Sequence, residues 1–587
     1  MTPPRRLDYA RLACSTLLAA LLIAIVARDF PLVGHDLRYY VPRLLDTLIY
    51  LDRNGIVSVQ WYTPAFGGGL PAYPNPQHLQ HSVLQALTFL VDPWVAFLIT
   101  TGVVSYVGFY AFAAFLEQRL ALSGAAATFG ACAFIGNGFW IEHLVVGHVG
   151  FQLFPLVAVM LWALCDVKSG AIRNGCVVAL TVAAILYHAG IHVIILGAFT
   201  LALALPVAML VRADSIAVGR VVATSAIALP IVAAIGGSKV HAVLSFMRQF
   251  PREIDETFAV GLGQALAGLA TQFAGVMSLA VPMALLGIDP AKVGSALTRL
   301  TGASERLGIW ELDISISPAA LVLVAVAGVQ VIARVRRYGL QRIDRKVIAA
   351  ATVAAVVTWL LVEATLARGL IYPILKPLPI LRSLHVNPRI AASFILPIAL
   401  VAAAVAHQRY GHRPRVMAIL LALSIAAPLT YFLLPASAQL RSFDLRSSLE
   451  TYARIRAGER LDVMQIVNAT DADALAASAS SYLPYEPLFG YELDDFKPQT
   501  VFGPVHDVRG GAFNMTQPAS LVFPVENGTA PFSRIPEADA ANLNALVTRG
   551  QPQWALPARQ QQLDVLSVVA LAVAVVGAIV PRRLGRR

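Results

Sequence analysis

The sequence has little charge and few cysteines for its length. Of its 587 residues, 13% are Asp, Glu, Lys or Arg and 57% are hydrophobic, whereas soluble globular proteins carry about 25% charged residues. This shortage excludes an ordinary soluble protein and indicates one that crosses a membrane several times. The four cysteines all lie in or beside apolar runs without a CxxC spacing, so we expect neither structural disulfides nor a cysteine metal site.

About twelve apolar runs approach the 20 or so residues that a helix needs to cross a bilayer. They lie near 10–28, 97–116, 124–140, 150–166, 175–189, 191–211, 217–236, 316–333, 347–366, 389–406, 416–434 and 563–580. The first run follows arginines as a signal peptide does, but it lacks a small-x-small cleavage site, so we interpret it as a retained helix. The Gly- and Ala-rich run 260–287 can span, re-enter or lie on the membrane.

Basic residues are concentrated in the short loops between these runs. The predicted cytoplasmic segments are 117–123, 166–174, 212–220, 334–346, 407–415 and the C-terminal tail. The positive-inside rule then predicts an inner (plasma) membrane protein with both termini in the cytoplasm. It also accounts for the net charge of +11 without a nucleic-acid partner.

The same trace places four long polar segments outside the cytoplasm. They are 29–96, 237–315, 367–388 and 435–562. The last of these is long enough for a small folded domain, with a helical start and short aromatic pieces typical of strands and turns. The predicted fold class is an α-helical polytopic membrane protein with a small α+β extracytoplasmic domain. The domains are then 1–434, 435–562, and a final helix with a basic tail over 563–587.

An acidic residue follows the first apolar run directly, in the motif Gly34-His35-Asp36. Apolar residues at helical spacing continue to Asp52 and predict an amphipathic helix on the bilayer surface, with Asp36 at its N-terminus. An ionisable residue at the edge of a membrane span points to function. The alternative is that Asp36 only caps the helix.

The loop that follows is rich in aromatic residues, glycine and proline. Trp61 and Tyr62 precede Phe66-Gly67-Gly68-Gly69-Leu70-Pro71, and Asn75-Pro76-Gln77 comes shortly after. Aromatic rings suit amphipathic ligands such as sugars. They are equally expected in an interfacial aromatic belt.

Together with Tyr39-Tyr40-Val41-Pro42, these motifs resemble the GT-C superfamily of integral membrane glycosyltransferases. The resemblance is nearer to the bacterial branch that includes teichoic-acid-glycosylating membrane proteins, and it covers about the first 170 residues and the general layout. It implies a GT-C-like transmembrane module, a polyprenyl-phosphate-sugar donor, transfer on the extracytoplasmic side, and Asp36 as the catalytic carboxylate. We assign substrate binding to its neighbours His35, Arg38, Tyr39, Trp61, Tyr62, Asn75 and Gln77.

A single carboxylate is enough for this chemistry. The acceptor hydroxyl loses its proton as it attacks the anomeric carbon, so Asp36 can act as general base. The leaving lipid phosphate is a stable anion and needs no general acid, unlike the sugar that leaves in glycoside hydrolysis. Direct displacement predicts inversion by a hexosyl- or pentosyltransferase, with a cell-surface glycan, lipid or protein as acceptor.

Four cations interrupt the positive-inside trend in the outer segment 367–388 and just after it. They are Lys376, Arg382, His385 and Arg389. Because they lack a topological reason to lie outside, we expect them to bind the donor phosphate. The alternative is that they extend to lipid headgroups.

A third polar patch contains Glu142, His143 and His148. We expect these residues either to contact substrate beside Asp36 or to cap the surrounding helices. Two histidines and one glutamate in a loop are a weak indication of a metal. We therefore expect no cofactor, and a divalent cation has no support from the sequence.

Two other classes of function fit the composition. One is a transporter or flippase of lipid-linked saccharides, and the other is a non-catalytic membrane protein of envelope assembly. The central runs lack the paired, interrupted helices and midplane charges of transporters, which favours the enzyme.

Overall fold

The computed structural model describes residues 6–248, 262–301, 307–338, 344–377, 386–486 and 499–579. The first helices are α1 (Arg6–Ala27), α2 (Leu37–Asn54), α3 (Val83–Leu87), α4 (Pro93–Leu120), α5 (Gly124–Ile135), α6 (Gly138–Val146), α7 (Val157–Cys165), α8 (Ala171–Tyr187), α9 (Ile191–Val211) and α10 (Val218–Met247). The later helices are α11 (Leu262–Leu285), α12 (Lys292–Thr301), α13 (Ile309–Leu312), α14 (Pro318–Tyr338), α15 (Arg345–Thr365), α16 (Tyr372–Leu375), α17 (Ile395–Tyr410), α18 (Pro414–Ala426), α19 (Arg446–Arg456), α20 (Asp471–Ala476), α21 (Ala540–Val547) and α22 (Ala558–Ile579).

The strands are short. They are β1 (Leu32–Gly34), β2 (Tyr62–Thr63), β3 (Leu70–Pro71), β4 (Arg441–Asp444), β5 (Gln465–Val467), β6 (Ala479–Ser481), β7 (Gly503–Pro504), β8 (Val508–Arg509), β9 (Ala512–Thr516) and β10 (Arg534–Pro536). Two three-stranded sheets, in the orders β6-β5-β7 and β10-β9-β8, lie in the C-terminal segment. The pairs β1-β4 and β2-β3 are antiparallel.

Within the described residues, eleven helices are long and apolar enough to cross a membrane. Ten of them match predicted spans, and the runs near 150–166 and 175–189 form shorter apolar helices. The eleventh is Leu266–Leu285, in the region that the sequence left open. The helical polytopic fold class is therefore confirmed.

Helix α11 is bent in its middle at Gly275, whose φ is +40°. The backbone there passes against Asp313, which accepts a hydrogen bond from the Val276 amide at 3.2 Å. The Gln272 and Phe273 carbonyls accept from the amides of Ile314 and Ile316 at 3.2 and 3.1 Å. These contacts hold the segment before α14 against the centre of α11.

The loops predicted to be cytoplasmic gather at one end of the helix bundle. Arg119 donates to the Ser215 carbonyl, and the Ser123 amide donates to His407. Arg220 and Arg173 reach the carbonyls of Ser169 and Ala578, and Lys346 pairs with Asp214 at 3.1 Å. Direct contacts therefore join the basic segments that the charge pattern grouped.

Helix α1 runs from this end of the bundle to the other. Near its start, Arg11 pairs with Glu117 in the last part of α4. Beyond its carboxyl end, β1 pairs with β4, which precedes α19. A 22-residue helix is about 33 Å long, slightly more than a hydrocarbon core of about 30 Å.

Helix α2 forms as predicted, but its surroundings differ from the prediction of a helix on an open bilayer surface. Thirteen of its 18 residues are buried, because the C-terminal segment covers the side that the pattern left polar. Buried Asp46 pairs there with Arg549 at 2.6 Å and accepts from Gln60 and Thr63 at 2.7 Å each. This ion pair anchors α2 to the segment after α21.

Candidate active site

The motif Gly34-His35-Asp36 lies against the carboxyl end of α6. A Cβ atom on Gly34 would come within 2.2 Å of the Val145 carbonyl oxygen, so only glycine allows this approach without a shift. The Asp36 amide donates to the Val146 carbonyl at 3.1 Å. This backbone contact brings Asp36 beside the turn after α6, where His148 lies.

Three side chains hold the Asp36 carboxylate. The His148 Nε2 lies 2.7 Å from Oδ2, and the His35 Nε2 lies 3.0 Å from Oδ1. The Tyr485 hydroxyl of the C-terminal segment donates to Oδ1 at 2.8 Å. The carboxylate thus joins the helix bundle to the segment that follows it.

Asp36 is only 7% exposed, yet it stays ionised. Burial acts to raise its pKa, but attraction to and hydrogen bonding from His148 and His35 outweigh burial and hold the pKa well below 3.8. A carboxylate accepts about four hydrogen bonds, and the described contacts use three. Two of these contacts are to Oδ1 and one is to Oδ2, so among the described contacts Oδ2 keeps an acceptor position.

The side chain of Asp36 does not cap α2. The residue occupies the N-cap position with helical dihedrals, and its side chain makes no capping hydrogen bond. The capping alternative is therefore wrong, and the carboxylate is directed to histidine and tyrosine instead.

A second charged group lies close to Asp36, on the other side of His148 and His143. Arg389 forms a two-point ion pair with Glu311, and its guanidinium lies 5.0 Å from the centre of the Phe151 ring. The Glu311 Oε2 is 3.9 Å from His143 Nε2, and the His143 and His148 rings are 5.0 Å apart. Arg389 is therefore linked to Asp36 by a short series of contacts through Glu311, His143 and His148. Most of these side chains are buried.

One ligand atom each from His143, His148 and Glu311 lie within 4.8 Å of one another. Two imidazoles and a carboxylate suit Zn²⁺. However, Arg389 already neutralises Glu311 and Asp36 already holds His148, so these ligands have competing partners. The absence of a cofactor stays a prediction.

Other predicted residues contact side chains of α2 and of the C-terminal segment. The Arg38 guanidinium lies 3.6 Å from the centre of the Tyr485 ring, and Gln77 donates to the Tyr40 hydroxyl at 3.2 Å. Asn75 donates to Glu486 at 3.3 Å. Tyr39 is fully buried and its ring lies 3.7 Å from the Arg43 guanidinium; its role in substrate binding stays a prediction.

Several predicted residues lie elsewhere. Glu142 is buried and accepts from Gln439 at 3.2 Å, on a different face of α6 from that of His143. Trp61 and Tyr62 line a groove beside the last part of α2. They do not stack beside Asp36, because α2 extends between the two places.

Of the four predicted phosphate ligands, Arg389 alone has a described position near Asp36. Lys376 follows α16, whose Tyr372 hydroxyl accepts from Asn387 at 3.0 Å. Arg382 and His385 lie outside the described residues. The phosphate role of all four stays a prediction.

Arg43 organises the C-terminal side of the site, a role that no sequence pattern indicated. Its guanidinium pairs with Asp471 at 3.0 Å and with Glu486 at 2.5 Å, and donates to the Tyr485 carbonyl at 3.3 Å. Burial raises the pKa of Glu486 against the opposing attraction of Arg43. Arg43 thereby fixes the backbone that carries Tyr485.

Tyr485 and Glu311 are two further site residues that were not predicted from the sequence. Tyr485 belongs to an aromatic, proline-rich stretch with no recognisable spacing. Glu311 lies in the mainly apolar stretch between Ile309 and Ile316. An acidic residue within an apolar stretch was the one feature of the sequence that could have identified Glu311 as a site residue.

No protein-family model matches the sequence, and no curated protein matches it. Among solved structures, the chain is similar to the cryo-EM structure of the arabinofuranosyltransferase AftD from mycobacteria, with a TM-score of 0.41 and 16% sequence identity. The similarity covers 77% of this chain and 29% of the AftD chain. The chain therefore spans less than a third of that protein, and a similarity at this level identifies neither sugar nor reaction.

Proposed function

We propose that this protein is an inverting membrane glycosyltransferase. It moves a sugar from a polyprenyl-phosphate-linked donor to a hydroxyl of an extracytoplasmic acceptor, with Asp36 as general base. The observation that carries the proposal is the Asp36 carboxylate, which is buried, ionised, held by three side chains and left with one acceptor position.

The base acts through the remaining position on Oδ2. An acceptor hydroxyl bound there is oriented toward the anomeric carbon and transfers its proton as the new bond forms. His148, His35 and Tyr485 fix the carboxylate, so little reorganisation is needed during the reaction. Because the side chain is mostly buried, the surrounding residues must separate before a saccharide reaches it.

Arg389 is the proposed ligand of the donor phosphate. An arginine has five N–H donors. Glu311 takes those of Nε and Nη2, while Nη1 forms no hydrogen bond to the described residues. The Nη1 group can therefore contact a phosphate oxygen while Glu311 keeps the guanidinium in place.

The distribution of charge supports an extracytoplasmic site. The basic loops lie at the end of the bundle where α1 begins, whereas Asp36 follows the end of α1. The positive-inside rule then assigns the basic end to the cytoplasm. A polyprenyl carrier fits this arrangement because its phosphate lies at the membrane surface.

The test is Asp36→Asn in the native host, with complementation of a deletion strain and mass analysis of the envelope glycans. Removing a general base typically costs 10²–10⁴ in rate, so the sugar that wild type restores should be missing at normal protein levels. Asp52→Asn, an exposed position on the same helix, is the matched control and should restore it. Restoration by Asp36→Asn would refute the proposal.

His148→Gln tests whether the general base is Asp36 or the neighbouring His148. The His148 Nδ1 is buried without a partner among the described residues, so an Asp36-oriented imidazole is the competing base. If Asp36 is the base, glutamine can still donate to it, and His148→Gln should lose much less activity than Asp36→Asn. Equal losses would assign proton transfer to His148.

A further inference from the structure

A groove of about 390 Å³ lies between the last part of α2, the loop before β2 and the segment after α21. Ligand pockets commonly enclose about 300–1,000 Å³. Its wall includes Tyr50, Trp61, Tyr62, Gln551, Gln553 and Trp554. The groove therefore combines aromatic rings with side-chain amides.

The aromatic wall is held in place before any ligand binds. The Trp554 indole donates to Asp539 at 3.0 Å, and its ring contacts Tyr62 edge-on at a centroid distance of 5.2 Å. The Tyr50 hydroxyl donates to the Val59 carbonyl at 2.8 Å. Rigid walls reduce the entropy lost on binding.

The polar atoms of the groove are suited to a neutral ligand. The Tyr62 hydroxyl is buried and has no partner among the described residues, although an unpaired buried hydroxyl normally costs stability. Gln551 and Gln553 are exposed at the rim. The described lining residues include no charged side chain, which argues against a phosphate or a lipid headgroup.

The groove is separate from the candidate active site. Tyr50 follows Asp36 by 14 residues along α2, which corresponds to about 21 Å at 1.5 Å per residue. A ligand that reaches both places must be several sugar units long. A sugar ring has an apolar face surrounded by hydroxyl groups. Aromatic rings pack on such a face, while side-chain amides bind the hydroxyls.

We propose that this groove binds an internal stretch of a neutral polysaccharide acceptor whose growing end reaches Asp36. The proposal rests on the glycosyltransferase function above and specifies its acceptor as a polymer. Binding at the groove holds the chain by units that do not react, so it raises the local concentration of the reacting end.

The test uses the full chain in nanodiscs, with Asp36→Asn as the background and neutral polysaccharide extracted from the host envelope as the probe. Adding Gln551→Ala with Gln553→Ala should weaken binding roughly tenfold, as expected for two lost hydrogen bonds. Trp61→Phe, which keeps most of the ring packing, should also weaken it. Gln408→Ala, an exposed glutamine in the basic-loop region, should not.

Activity separates the two proposals. With Asp36 intact, the glutamine pair should raise the KM for the polysaccharide about tenfold and leave that for a single-sugar glycoside acceptor unchanged. Unchanged polysaccharide binding and KM in an active enzyme would overturn the groove while leaving the transferase standing. Equal losses on both acceptors would also overturn it, because they indicate a structural defect.

Discussion

Arg43→Met tests how the C-terminal segment is attached to the helix that carries Asp36. The Arg43 side chain is 10% exposed, and its partners Asp471 and Glu486 are 3% and 4% exposed at their side chains. Removing one partner of a buried ion pair costs about 3–5 kcal/mol, because the charge left behind is unpaired. Here two carboxylates lose their cation, so we expect the upper part of that range.

The upper part of that range, about 4–5 kcal/mol, corresponds to a rise of roughly 1,000- to 4,000-fold in the population of the detached state. The assay is hydrogen–deuterium exchange of the full chain in nanodiscs, read on peptides from α2 and from 471–486. Both should lose protection in Arg43→Met, and transfer should fall because Tyr485 is released from Asp36. Arg446→Met, which breaks the exposed pair with Asp444, is the control and should keep wild-type protection, because exposed ion pairs contribute little to stability.

The loss of stability in Arg43→Met should depend on pH. Burial raises the pKa of Glu486. The contribution of Glu486 to stability is therefore complete below its unfolded-state pKa, and it is lost as the pH rises through its folded-state pKa. Without Arg43 that pKa rises further. The deficit of Arg43→Met should therefore shrink as the pH falls from neutral toward about 4.3.

A double variant gives the result that would refute this reasoning. Glu486→Gln removes one of the stranded charges, so combining it with Arg43→Met should recover part of the lost protection. If the two effects simply add, or if Arg43→Met keeps wild-type protection, the ion pairs do not hold α2 to the C-terminal segment.

Two further substitutions test the position of Asp36. Tyr485→Phe removes one hydrogen bond to the ionised carboxylate, which should lower transfer roughly tenfold or more and move the acid limb of the pH–rate profile to higher pH. Tyr482→Phe is the control. Identical profiles for the two variants would contradict the contact between Tyr485 and Asp36. Gly34→Ala forces the backbone away from α6, and a displacement of about 1 Å should cost roughly 100-fold in kcat. Gly219→Ala, where a Cβ meets nothing within 4 Å, should have no effect, and wild-type activity of Gly34→Ala would refute the close approach.

Local patterns in the sequence were enough to predict most of the membrane architecture. Ten of the candidate membrane helices follow from apolar length alone, because a helix in lipid satisfies its own backbone hydrogen bonds. The basic loops were grouped correctly because one electrostatic rule acts on each loop independently. Helix α2 was also predicted, since its spacing of apolar residues is a local property.

The surroundings of α2 were not predictable in the same way. Its polar face suggested exposure, but Arg43, Asp46 and their partners form buried ion pairs with residues more than 400 positions away in the chain. A charge pattern identifies a polar face and does not reveal which later segment covers it. The same limit explains why Trp61 and Tyr62 were assigned to Asp36 and instead line a separate groove.

The sequence by itself determined that the protein is a helical membrane protein with a carboxylate just after its first span. These properties depend on hydropathy and on neighbours within a few residues. Only the tertiary structure decided that Asp36 binds His148 and Tyr485 and does not cap α2, and that Arg389 pairs with Glu311 nearby. Those contacts join segments separated by 78 to 449 positions, so they depend on how the bundle packs.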